Sequence, residues 1–356
     1  MTRHVGILFG GRSVEHEVSV VSARSVAAAI QTSDELSCVP IGVTEDGRWL
    51  DPQRSASVLD GDAKRVEDGG DIGATWSVVP GGGLRLEGAD TKIDVLFPLV
   101  HGWGGEDGRL QGALELAGIP YVGAGVAGSA VGMDKIFTRR LFEERDLPVC
   151  GWLAATRHDD RAELAARIGS ELGYPVFVKP SNGGSSLGVV RAAGPDEIDA
   201  ALQTAAGFDR RLVIERGHDV REIECAVLGN ESPEASVLGE IVPSNEFYDY
   251  AAKYVDDASE LMIPAPLPDE VSDRIRALAC EAFRTLDLAG FARVDFFVEK
   301  KTGEVWLNEV NTLPGFTPIS MFPKLWENSG LPYTQLIERL VTLAIEADRG
   351  DPPRSS

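Results

Sequence analysis

Basic charge, cysteine and long apolar runs are all scarce in this chain. Lys and Arg number 34 against 56 Asp and Glu, for a net charge of −22. A nucleic-acid surface needs clustered basic residues to displace counterions, so no nucleic-acid partner is expected. Four cysteines (Cys38, Cys150, Cys225, Cys280) are scattered with no C-x-x-C pair. That excludes a disulfide framework and a zinc site and points to a reducing compartment. No stretch approaches the ~18 apolar residues of a membrane span. The opening "MTRHVGILFGG" lacks the apolar core and cleavage site of a signal peptide. A soluble cytoplasmic protein with no membrane partner is expected. Lysine is rare too, with only eight in the chain. Lys179, inside an apolar strand-like run, therefore needs a reason to be there.

What is present is ordinary globular composition, 43% hydrophobic and 25% charged, in 356 residues. That length predicts two or three domains. Val5–Phe9 reads as a strand ending in Gly10-Gly11, followed by a helical pattern over Ser19–Ile30. "CVPIGV" (38–43) and "IDVLFPLVHG" (93–102) read as further strands, and Leu110–Ala117 as a short helix. Strands alternating with helices predict an open α/β sheet, which collects ligands beyond the carboxyl ends of its strands. The intervening 51–92 is polar and weakly patterned and reads as an elaborated surface segment. From Ser129 the pattern changes: "SAVGMDKIFTRRLFEERDL" reads as one long amphipathic helix, "RAELAARIGSEL" as another and "RRLVIER" as a strand.

Two hairpins carry the chemistry. "YPVFVKPSNGGSSLGVVRA" reads as strand, glycine loop, strand. A P-loop places its lysine after the glycines and continues into a helix; here Lys179 comes first and β-branched residues follow. Consecutive free N–H groups in such a loop can cradle an anion, with Ser185 and Ser186 adding hydroxyls. A plain flexible turn is the alternative. In "GFARVDFFVEKKTGEVWLNEVN", with its turn at Thr302-Gly303, alternation puts Arg293 and Asp295 on one face and Glu309 and Asn311 on one face of the partner strand. Three hard oxygen donors suit Mg²⁺ that keeps waters and bridges phosphates. A structural salt bridge from Arg293 to Asp295 or Glu309 is the alternative. Glu15 and Glu17 stand just before a helix, where carboxylates suit the dipole, and one of them could instead fix a cationic ligand. His101 lies at a strand end among glycines and acids. "GAGVAG" (123–128) matches the dinucleotide fingerprint but follows only a short apolar stub, so NAD binding is not expected.

Taken together, "FGGRSVEHEVS", "LVHGWGGEDGRLQGALELAGIPYVG", "MDK", "VKPSNGGSSLGV", "FYDYAAKY", "ARVDFF" and "NEVNTLPGFT" resemble the D-alanine–D-alanine ligases of the ATP-grasp superfamily, in the family's order over nearly the whole chain. The resemblance implies an ATP-grasp fold, α/β and α+β. An open α/β domain (1–128) would precede a central domain with the glycine loop (129–214) and a C-terminal domain with metal site and lid (215–356). It implies ATP-dependent joining of two D-alanines through a D-alanyl phosphate, for peptidoglycan precursors, usually by a homodimer. Lys135, Lys179, Ser186 and Lys253 would contact ATP phosphates. Glu215 and the backbone from Arg216 to His218 would hold adenine, and Glu222 the ribose. Asp295, Glu309 and Asn311 would hold two Mg²⁺, with Mn²⁺ as a substitute. Glu15 would bind the first D-alanine's ammonium in a cluster with Ser185 and Tyr254, and His101 would line that subsite. Ser320 and the Met321 backbone would receive the second substrate's carboxylate. Arg293 and the Gly315 N–H would form the oxyanion site. The pair Lys253-Tyr254 implies an amine acceptor rather than D-lactate. The chain departs from some members at Gly183, where they carry a larger or acidic residue.

Overall fold

Val5–Phe9 is apolar at every position except Gly6, as a strand covered on both faces must be, and it forms the middle of a parallel sheet. The computed structural model describes residues 2–67, 70, 73–89, 91–242 and 260–347. The first third contains β1 (Arg3–Gly10), α1 (His16–Gln31), β2 (Leu36–Val43), α2 (Pro52–Asp60), the hairpin β3 (Trp76–Val79) and β4 (Gly83–Leu86), then β5 (Val95–Pro98) and α3 (Arg109–Ala117). The sheet order is β2-β1-β5, both pairings parallel. The segment read as surface elaboration is in part structural. Asp51 caps α2 by accepting from the Gln53 and Arg54 N–H, and Trp76, Leu84 and Leu86 are buried. The Trp76 indole donates to Leu50 O at 3.0 Å. Four-residue strands are too short to show a period, which is why the pattern was weak.

The middle third comprises α4 (Val126–Met133), α5 (Lys135–Glu144), β6 (Trp152–Thr156), α6 (Arg161–Arg167), β7 (Val176–Pro180), β8 (Val190–Ala192), α7 (Ile198–Ala206) and β9 (Arg211–Arg216). One long helix was expected over 129–147; the structure has two. Asp134 leaves helical geometry (φ −96°, ψ 102°) and caps α5 through the Ile136 and Phe137 N–H. Its carboxylate also accepts from the Ser181 hydroxyl at 2.7 Å, and the Lys135 N–H donates to Ser181 O at 2.9 Å. These long-range bonds favour the break and leave no trace in helical periodicity. Gly128 of GAGVAG serves packing within α4: a Cβ there would lie 2.8 Å from Leu288.

Strands β6-β9-β7-β8 form an antiparallel sheet, in which β7 and β8 are the expected hairpin. A second antiparallel sheet, ordered β12-β11-β10-β13-β14, is built from β10 (Val220–Gly229), β11 (Glu234–Val242), β12 (Glu260–Met262), β13 (Gly290–Glu299) and β14 (Val305–Asn311). Around it lie α8 (Asp269–Thr285), α9 (Met321–Asn328) and α10 (Tyr333–Glu346). The N-terminal sheet shares a core with the last sheet. Phe316, fully buried, stands edge-on to Phe97 of β5 at 5.5 Å and to Phe291 of β13 at 5.4 Å. Phe316→Ala is expected to lower stability by about 3–5 kcal/mol, read as a shifted urea midpoint. A loss under about 1 kcal/mol would show that this junction does not hold the two sheets together. All four cysteines are free, and no helix among the described residues is long and apolar enough to cross a membrane.

Candidate active site

The carboxyl ends of β1 and β5, the glycine loop and the β13–β14 strands all open onto one cleft of about 440 Å³. Of the two acids before α1, Glu15 turns into this cleft, 8% exposed, whereas Glu17 faces Arg65 at the surface. The Ser185 hydroxyl donates to Glu15 Oε1 at 2.7 Å. This bond joins the glycine loop to the first βα turn across 170 residues of sequence. Ser185 and Ser186 both adopt left-handed backbone (φ 53° and 57°), each at a cost of about 1 kcal/mol or more for a residue with a Cβ. Gly188 (φ 72°) admits no Cβ, which would lie 2.5 Å from Phe208.

His101 is buried between three segments. Its Nδ1 donates to Leu313 O at 3.0 Å, so the neutral ring accepts the Ser22 hydroxyl on Nε2 at 3.2 Å. Burial lowers its pKa, opposed by the Glu15 carboxylate and the Leu313 carbonyl. Ser22 also accepts the Phe316 N–H, so His101 and Ser22 together hold the loop carrying Gly315. Beyond that loop, Ser320 stands at the N-cap position of α9 with no side-chain bond to the helix, and its Oγ accepts from the Thr317 N–H at 3.0 Å. Met321 begins the helix with its side chain buried, leaving its backbone at the N-terminus, where anions are favoured.

On β13 and β14 the register sets Arg293 opposite Asn311 and Asp295 opposite Glu309. The Arg293–Asp295 ion pair left open by the sequence is present. The guanidinium donates to both Asp295 oxygens at 2.7 Å and lies 3.1 Å from Glu224 on β10. Burial alone would lower the Arg293 pKa, but Asp295 and Glu224 more than overcome it. Lys135 Nζ donates to Gly183 O at 2.8 Å and pairs with Glu309 at 3.1 Å. Asn311 Oδ1 accepts the Leu313 N–H at 3.0 Å. Among the described residues no three acids or imidazoles converge as a ready metal cage. The donor set still fits Mg²⁺, because Asp, Glu and Asn oxygens share one face of paired strands and Mg²⁺ needs only one or two carboxylates besides phosphates and water.

Apart from Lys135, the described side chains expected at the nucleotide do not line this cleft, and they are more committed than the sequence suggested. Lys179 Nζ pairs with Glu215 Oε2 at 2.6 Å, and the other Glu215 oxygen is bound by Arg139. Burial, then the Arg139 charge, pushes Lys179 down to about 8, with Glu309 opposing. The Arg216 side chain donates to Leu172 O and Glu171 O, and its N–H to Gly151 O. The Gly217 N–H is engaged with Pro175 O. Two of the backbone N–H groups over 215–218 expected to hold adenine, those of Arg216 and Gly217, are thus already engaged within the chain. The His218 ring lies 4.3 Å from Trp306, and burial lowers its pKa. Glu222, half-buried, lies two residues before Glu224 on the same face of β10. Lys253 and Tyr254 fall in 243–259, outside the described residues.

Three side chains of the site went unnoticed in the sequence. Strand alternation from Glu222 would have found Glu224; Arg139 carries no local signal. Glu106, in "GEDG", is held by the Gly102 N–H at 2.7 Å. Burial, then Glu15, Asp107 and Glu309, push its carboxyl up to about 8. A carboxyl whose native pKa exceeds its unfolded one loses stability as pH rises from the ordinary value near 4.5 towards 8. Glu106→Gln, measured without substrates, is thus expected to gain on the order of 2 kcal/mol at pH 8.5 and much less at pH 5.5, after allowance for solvent screening. Equal urea-midpoint shifts at both pH values would contradict this.

Comparison with known proteins gives a consistent set of matches. The family model "D-ala D-ala ligase N-terminus" matches residues 4–124, and "D-ala D-ala ligase C-terminus" matches 141–342. The chain is 47% identical over 357 residues to the D-alanine–D-alanine ligase of Thermoanaerobacter pseudethanolicus, covering 97% of each. It is 47% identical over 350 residues to that of Deinococcus radiodurans, covering 97% of this chain and 99% of the other. Among solved structures, the D-alanine–D-alanine ligase from Coxiella burnetii superposes with a TM-score of 0.86 at 34% identity, covering 97% of this chain and 94% of that one. The VanG D-Ala:D-Ser ligase from Enterococcus faecalis gives 0.84 at 33% identity, covering 97% and 100%.

Proposed function

Since this chain belongs to the D-alanine–D-alanine ligase family and has its ATP-grasp fold, we propose that it uses ATP to join two D-alanines into D-alanyl-D-alanine. The observation that carries the proposal is the meeting of the Glu15–Ser185 pair, Lys135, Arg293, Glu309 and Asn311 in one cleft, with Asp295 on the same strand face bound to Arg293. Glu15 takes the ammonium of the first D-alanine, beside His101. Tyr254 and Lys253, outside the described residues, are assigned to that cluster and to the γ-phosphate on the family resemblance alone. Lys135, Lys179 and Ser186 receive the phosphates, Glu222 takes the ribose, and the 215–218 backbone receives adenine. Asp295, Glu309 and Asn311 would hold Mg²⁺, or Mn²⁺ in its place, which when bound neutralises phosphate charge.

A free carboxylate is a poor acyl donor, so activation comes first. A carboxylate oxygen of the first D-alanine attacks the γ-phosphorus, the bond to the ADP oxygen breaks, and an acyl phosphate forms. The second D-alanine, its carboxylate at Ser320 and the Met321 N–H, attacks the acyl carbon through its amine. Arg293 and the Gly315 N–H stabilise the developing oxyanion, contacts worth roughly 3–4 kcal/mol per donor. Phosphate leaves, the nitrogen loses a proton, and the peptide bond remains. A homodimer working in the cytoplasm on peptidoglycan precursors, with domain divisions at 128/129 and 214/215, belongs to the same proposal.

The similarity to a D-Ala:D-Ser ligase at 33% identity keeps D-serine as a second acceptor reading. ADP release with Mg²⁺-ATP and D-alanine, then with D-serine or D-lactate added, tests both when products are identified by mass. D-alanyl-D-alanine as the main product is expected. D-alanyl-D-serine in excess would move the acceptor to the second reading, and no D-alanine-dependent ADP release would overturn the proposal.

A further inference from the structure

Arg139 heads the fully buried large side chains, at 1% exposure. Arginine is almost never buried this deeply unless paired, and this one has partners on both sheets that flank the cleft. One nitrogen bonds Glu215 on β9, and another donates to Asn308 O on β14 at 3.1 Å. Asn308 is the extra residue of the bulge that interrupts β13–β14 pairing, immediately before Glu309. Arg139 therefore fixes the backbone next to Glu309 and the carboxylate that contacts Lys179. It stands four residues after Lys135 on α5, hence on the same helix face. One helix thus sends Lys135 to Glu309 and the glycine loop, and Arg139 underneath to both sheets.

Charge gives this joint a purpose beyond packing. Glu215 and Lys179 alone would cancel, leaving little positive potential for phosphate. With Arg139 sharing the carboxylate, the three groups carry a net positive charge. Burial lowers the Arg139 pKa, but arginine starts high enough to remain charged. The arrangement is a poor one for stability alone. Arg139 Nε has no hydrogen-bond partner among the described residues, and buried ionic groups are often replaceable by apolar ones without loss of stability.

We propose that Arg139 is a positioning residue for ATP: by holding Glu215 and the Asn308 carbonyl at once, it keeps Lys179 available to phosphate and sets the two sheets at nucleotide spacing. The inference rests on the assignment of Lys179 to the phosphates made above. Arg139→Met, Arg139→Lys and Lys179→Met are compared in the full chain by ADP release. ATP is varied at saturating D-alanine, D-alanine is varied at saturating ATP, and urea midpoints are recorded. Loss of a buried charge-assisted bond predicts a rise of about tenfold in the KM for ATP in Arg139→Met, with the KM for D-alanine within about twofold. Arg139→Lys keeps the charge but lacks the fork to span both partners, so a rise of about threefold is expected, a partial rescue. A KM for ATP unchanged in Arg139→Met, or both KM values rising together, overturns the inference. Should Arg139→Met not fold, Arg139→Lys decides, and an unchanged KM for ATP there overturns it equally. Lys179→Met separates the two levels. If its KM for ATP rises while that of Arg139→Met does not, only the role of Arg139 fails. If its KM for ATP does not change, the phosphate assignment fails and takes the inference with it.

Discussion

Glu309→Gln is expected to reduce ligase turnover by about a thousandfold or more while leaving the fold intact. Glu309 stands opposite Asp295 and 3.1 Å from Lys135 Nζ, at the junction of strand pair and glycine loop. Glutamine matches it in shape but removes the negative charge and one anionic oxygen. The proposed roles of Glu309, ligating Mg²⁺ and fixing Lys135 against transferred phosphate, both depend on that charge. Its side chain is 32% exposed, so the ion pair contributes about 1 kcal/mol or less to stability. The urea midpoint should therefore barely move while ADP release nearly ceases. Near-parental turnover would remove Glu309 from the reacting end of the cleft.

Arg293→Met should damage stability and activity together. Arg293 neutralises Asp295 through two bonds and Glu224 through a third contact, all in the middle of the last sheet. Removing it leaves two carboxylates facing each other across β10 and β13, where Glu224 pairs with Asp295 in register. Breaking such a buried pair from one side costs about 3–5 kcal/mol. Loss of the oxyanion contact should lower kcat by a further factor of about 10² or more. The double variant Arg293→Met/Glu224→Gln separates the effects. Relieving the repulsion should recover much of the urea midpoint, whereas kcat should stay low. Recovery of turnover along with stability would make Arg293 a structural residue only.

Chemistry written within one or two neighbouring strands was legible from sequence. Alternation within β13 and β14 put Arg293, Asp295, Glu309 and Asn311 on matching faces, and the register sets them opposite one another. The glycine loop proved to be a hairpin tip because β-branched residues, poor at helix entry, follow it. The period-2 signal is local, and turn chemistry at Thr302-Gly303 leaves little freedom in how the two strands meet.

What escaped depended on partners far along the chain. The helix break at Asp134 is supported by Ser181 and by Arg211, which bonds the same carboxylate. Arg139 looks like one more charged residue of an amphipathic helix until β9 and β14 close over it. Glu106 looks like loop acidity until Glu15 and Glu309 come to face the same cleft. By itself, then, the sequence determined the alternation of the first strands and helices, the two hairpins with their faces and the family's motif residues, because periodicity and turn preference act between neighbours. Only the tertiary structure decided which of those charges are buried and with whom they pair. Desolvation and ion pairing depend on distance in space, and residues 170 apart in sequence, such as Glu15 and Ser185, meet only once the sheets have packed.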